Sequence, residues 1–103
     1  MDVGNPAAVT VRMIALLHIH RRERGLPARV SFRVSAEGMP AIQIARALEL
    51  PIELIEGLFL NGRLVGLGAS VYPGDRVAFV PHGTPASHPA FFGRAGIEEY
   101  AIA

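Results

Sequence analysis

From Val9 to Met13 apolar and polar residues alternate, and the chain then runs continuously apolar to Leu17. A period of two marks a strand with one buried face, so a first strand of about nine residues is expected from Val9 onward. The basic stretch Arg21-Arg22-Glu23-Arg24-Gly25 reads as a turn, and alternation resumes from Arg29 to Val34 with Val30, Phe32 and Val34 on one side. These two strands are expected to form a hairpin. Farther on the period changes: Ile42, Ala45 and Leu48 stand three apart, with Ile44 one turn before Leu48. Pro40 suits the first helical position, where its missing N–H costs nothing, so one short amphipathic helix is expected, stopped by Pro51.

The second half carries sharper turn chemistry. Asn61-Gly62 separates Leu58-Phe59-Leu60 from Arg63-Leu64-Val65, and a two-residue type I′ hairpin needs positive φ at both central positions. That register sets Leu60 opposite Arg63 and Leu58 opposite Val65, with Phe59 and Leu64 on the other face. Pro73-Gly74 suits a type II turn into a last strand, Arg76 to Val80, with Val77 and Phe79 on one face and Ala78 and Val80 on the other. The expected order is strand, strand, helix, strand, strand, strand. Leu58, Leu60, Val65, Val77 and Phe79 should pack against Ile42, Ala45 and Leu48 in one core.

Composition narrows the chemistry. A chain of 103 residues with 50% hydrophobic and 18% charged positions fits one compact domain and not a disordered segment. No cysteine is present, which removes disulfides, thiolate metal sites and thiol nucleophiles together. All ten basic residues are arginine, so no lysine side chain can accept an isopeptide bond. The apolar run Met13 to Leu17 is too short for a signal or a membrane span and follows Arg12. A cytoplasmic location and no membrane partner are expected.

Three segments, read together, carry a resemblance. Ala47-Leu48-Glu49-Leu50-Pro51, then Leu60-Asn61-Gly62-Arg63-Leu64-Val65, then Gly74-Asp75-Arg76-Val77-Ala78-Phe79 resemble the ThiS and MoaD family of ubiquitin-like sulfur carriers. The likeness runs from Val9 to Pro81, and its most specific part is the Asn-Gly hairpin followed by the Gly-Asp-x-Val strand. It implies an α+β fold, the β-grasp, with a mixed four- to five-stranded sheet and one main helix in residues 1–81. Residues 82–103 would be a C-terminal extension, with a linker at 82–89 and an apolar segment at 90–103.

The resemblance also implies a function. Members of the family are not themselves enzymes and hold no cofactor. An activating enzyme adenylates their C-terminal diglycine, which becomes a thiocarboxylate and gives sulfur to a molybdopterin-type or thiamine precursor. The implied partner is that activating enzyme or a cofactor-synthesis enzyme. In this chain Pro85 and Ala86 stand where the family's final glycines are expected. Gly83 is therefore the candidate carrier terminus, to be released by processing. The alternative is a ubiquitin-like protein-binding module without carrier activity.

Other constellations are weaker. Phe59, Ala78 and Val80 share the face turned away from the helix and are the candidate partner surface, unless the apolar residues Phe91, Phe92, Ile97, Tyr100 and Ile102 of the extension cover it. His18 and His20, two apart on a strand, would share a face, and His82 and His88 could join them at a metal, yet no carboxylate stands at fixed spacing and no metal site is expected. The arginines at 21, 22, 24, 29 and 33 read as the solvated edge of the first hairpin. A net charge of +1 and no interleaved aromatics fall short of a nucleic-acid footprint, so no nucleic-acid partner is expected.

Overall fold

The computed structural model of the chain describes residues 8 to 84. Along it lie β1 (Ala8–Met13), α1 (Leu16–Glu23), β2 (Arg29–Arg33), β3 (Met39–Pro40), α2 (Ala41–Ala47), a 3-10 turn (Ile52–Leu54), β4 (Ile55–Leu60), β5 (Arg63–Val65), β6 (Ser70–Val71) and β7 (Arg76–Pro81). Five strands form one mixed sheet in the order β2-β1-β7-β4-β5, and β3 pairs with β6 in a separate two-stranded ribbon. The fold class is α+β, as expected. β1 and β7 run parallel at the centre of the sheet, and the other neighbouring pairs are antiparallel.

The second half follows the expected register. Leu58 pairs with Val65, Phe59 with Leu64 and Leu60 with Arg63. Asn61 at φ 54 and Gly62 at φ 90 supply the two positive φ values of the turn. Val77 and Phe79 enter the main core with Leu58, Val9, Val11, Met13, Ile44 and Ala45, and Leu60, Val65 and Leu48 pack at its border. Ile42 is a correction. It stays half-buried and lies outside that cluster, because the helix turns Ala41, Ile44 and Ala45 inward instead.

Helix α2 begins and ends one step away from expectation. Pro40, at φ −63 and ψ 142, is its N-cap and not its first helical residue. The stop comes before Pro51: Glu49 N–H donates to Arg46 O at 2.9 Å and Leu50 N–H to Ala45 O at 3.0 Å, with Glu49 left-handed at φ 59. This is the Schellman pattern, with glutamate where glycine is usual.

The first half departs further. β1 and β2 pair antiparallel, Val9 with Phe32 and Val11 with Val30, but the expected nine-residue strand ends at Met13 and the connection is a helix, not a tight turn. Ala15, at φ 54 and ψ −129, turns the chain, and Leu17 N–H closes that turn on Ile14 O at 3.0 Å. Alanine sits where such a turn favours glycine. Two residues of α1 are buried, Leu17 and Arg21. Arg21 is only 4% exposed, and its guanidinium donates to Pro27 O at 2.8 Å through Nε and to Leu48 O at 3.3 Å through Nη1. It thereby ties the α1–β2 connection to the C-terminal end of α2, where free carbonyls favour a cation.

Candidate functional site

The central position of β7 decides where the candidate carrier residue lies. Pro81, at the end of β7, is buried and pairs with Ile55 at the start of β4. His82 N–H donates to Leu54 O at 2.8 Å, and Thr84 Oγ1 donates back to Pro81 O at 2.9 Å. Gly83 sits between these two held residues, exposed, at φ 84, with nothing within 4 Å of where a Cβ would stand. Backbone conformation, and not crowding, calls for glycine here. Residues 85 to 103, including Pro85, Ala86 and the apolar segment, lie outside the described residues, so the boundaries of the extension and its covering of the sheet lie outside them too.

The candidate partner surface forms a second, smaller cluster. Phe59 and Val80 pack with Ile14, and Ala15 and Ala78 border them. Phe59 is 7% exposed and Val80 1%, while Ala78 is half-buried. Leu64, opposite Phe59, is exposed, as are Leu16 and Ile19, one helical turn apart on α1. Leu54, beside His82, is exposed as well. Phe59 and Val80 are thus covered by Ile14 and do not form an open patch, and the exposed apolar side chains among the described residues include Leu16, Ile19, Leu54 and Leu64 instead.

The histidine and arginine readings change with α1. His18 and His20 lie on a helix, where two residues apart means about 200° around the axis, so they do not share a face. His88 is outside the described residues, and among the described residues no group of three or more His, Cys, Asp or Glu could hold a metal ion. The arginine group divides. Arg21 is buried, Arg24 reaches Glu49 Oε1 at 3.5 Å, and Arg29 and Arg33 stand exposed on β2. A basic hairpin edge is thus replaced by an α1 end facing α2 and a separate basic sheet face.

Two further polar features stand out. The exposed Glu37 carboxyl titrates below its ordinary value, because its own backbone N–H and then the Ser35 hydroxyl donate to the charged form. His20 Nδ1 is buried without a hydrogen-bond partner among the described residues. No helix among the described residues is long and apolar enough to cross a membrane. In comparisons with family models, with curated proteins and with solved structures, nothing matches this chain.

Proposed function

We propose that the chain is a β-grasp protein of the ThiS and MoaD kind, which carries sulfur on the carboxyl group of Gly83 once the residues after it have been removed. The sheet order β2-β1-β7-β4-β5, its parallel central pair and α2 against one face support the β-grasp reading. The observation that carries the functional step is the position of Gly83. It stands exposed and uncrowded two residues beyond the central strand, where a partner enzyme could receive its carbonyl carbon.

The chemistry would run in two displacements. The Gly83 carboxylate attacks the α-phosphate of ATP and releases diphosphate, and a hydrosulfide ion then displaces AMP from the acyl carbon, leaving a thiocarboxylate and a proton. The activating enzyme supplies nucleotide and catalysis, and a cofactor-synthesis enzyme takes up the sulfur, so the carrier contributes only a reachable carboxyl and a docking surface. A molybdopterin-type or thiamine pathway in the cytoplasm is the setting this reading implies.

A second reading is a ubiquitin-like binding module without carrier chemistry. Pro85 and Ala86 at the family's glycine positions favour it, as does the exposed apolar pair Leu16 and Ile19. Intact-mass measurement on protein from the native host separates the two. A form ending at Gly83, part of it heavier by about 16 Da through exchange of oxygen for sulfur, is expected for the carrier. Only uncleaved chain while the cofactor pathway is active would leave the binding module.

A further inference from the structure

The face of the sheet turned away from α2 is unevenly charged. Thr10 and Arg12 of β1, Arg29, Ser31 and Arg33 of β2, and Arg76 of β7 all point to it, because residues two apart on a strand share a face. Arg12 stands directly opposite Arg29, and Thr10 lies between Ser31 and Arg76 in one cross-strand row. Like charges directly opposite destabilise a strand pair. Nothing in the described residues offsets this. Neither β1 nor β2 contains a carboxylate, and the ion pair present is Arg24–Glu49, elsewhere on the molecule. Asp75, next to Arg76, is committed to Asn61 Nδ2 and to Tyr72 N–H.

The same strand is an edge. Among the described residues β2 ends the order of the sheet, pairing with β1 alone, and no other backbone hydrogen bond reaches residues 29 to 33. Its outer N–H and C=O groups have no strand against them among the described residues. On its opposite face Val30 and Phe32 are only partly buried, at the margin of the main core. The edge therefore offers main-chain groups along its length, arginines on one face and apolar side chains on the other.

We propose that β2 receives an extended acidic segment of a partner protein as an added sixth strand. The segment's carboxylates would alternate along the arginine face, near Arg29, Arg33 and Arg12, and its apolar residues would extend the core beside Val30 and Phe32. Main-chain hydrogen bonds give such strand addition its affinity, and alternate side chains give its specificity. A carboxylate beside Arg12 and Arg29 also relieves their repulsion. RNA fits less well, since it would use neither the strand edge nor Val30 and Phe32, and no aromatic side chain interleaves the arginines for base stacking. The site is independent of cleavage after Gly83, so its failure would leave the carrier reading untouched.

The full chain, isotopically labelled, can be titrated with a short peptide of alternating glutamate and valine and followed by NMR. Controls are the same peptide with glutamine for glutamate and a short oligouridylate. Shifts centred on residues 29 to 33, cross-strand contacts between the two backbones, and affinity at least tenfold above the glutamine peptide and falling with salt are expected. Arg29→Gln with Arg33→Gln, with the rest of the spectrum preserved, should weaken the acidic peptide at least tenfold. No shifts at millimolar peptide, equal binding of the two peptides, or tighter binding of oligouridylate would overturn the proposal. The peptide and salt comparisons on the unaltered chain decide it even if the double variant does not fold.

Discussion

Asn61 and Asp75 are joined across two turns: Asn61 Nδ2 donates to Asp75 Oδ1 at 2.9 Å. The same asparagine accepts Arg76 N–H at Oδ1, 2.8 Å away, and donates its own N–H to Arg76 O at 2.8 Å, while Asp75 Oδ2 accepts Tyr72 N–H at 2.8 Å. The β4–β5 hairpin is thereby fastened to the turn that opens β7. The residues that carry the likeness to sulfur carriers most specifically, the Asn-Gly turn and the Gly-Asp strand, are here a structural clamp. They speak for architecture, and the chemistry must be judged at Gly83.

Asn61→Ala should test that clamp. It removes two side-chain bonds and leaves alanine at positive φ, so a loss of about 2 to 3 kcal/mol is expected in chemical denaturation. Asn61→Gly keeps the φ and loses only the bonds, and should fall between the two proteins. Equal stability of Asn61→Ala and the unaltered chain would remove the clamp from the account.

Phe79→Ala should cost about 3 to 5 kcal/mol, because the ring is fully buried between the central strands and α2. A loss below about 1 kcal/mol would be incompatible with that packing.

Glu49→Gly should raise stability by about 0.5 to 1 kcal/mol. Left-handed φ strains a residue with a Cβ by more than glycine adds in unfolded-chain entropy. The substitution also removes the ion pair with Arg24, which is exposed at both ends and so offsets little of the gain. Urea midpoints at a common slope measure the difference.

Glu37 should titrate below the glutamate of an unstructured peptide when its carboxyl carbon is followed by NMR, and Ser35→Ala should move it partway back up. A folded value below the unfolded one contributes stability that is present above the unfolded value and fades as pH falls through the folded one. Glu37 is fully exposed, so the residue's own titration is the measurement that bears on this. A higher value than in the peptide would contradict the two donors.

The contrast between the chain's halves shows what a sequence can disclose. Asn61-Gly62 and Pro73-Gly74 are residues whose backbone needs are unusual, so turn and register follow from their identity, and the facing of Val77 and Phe79 follows from register. At Ala15 the chain turns through a conformation that alanine does not advertise. In α1 the helical stripe is hidden twice: its second buried position is Arg21, satisfied by two carbonyls, and Leu16 and Ile19 put apolar side chains into solvent. Taking that helix for a strand also puts the two histidines on one face and gathers arginines that the fold keeps apart. Gly83 could be singled out from its neighbours alone, whereas the basic sheet face needs Arg12, Arg29, Arg33 and Arg76 brought together from three strands.

The parallel pairing of β1 with β7 also bears on mechanical strength. Drawing Ala8 and Pro81 apart pulls these two adjacent strands lengthwise past each other, so the load falls on their evenly spaced hydrogen bonds together and not on one after another. A pull on the chain beyond Gly83 with Ala8 held would therefore meet this whole row of bonds at once, so the fold should resist extension from its two ends more than its thermodynamic stability alone implies.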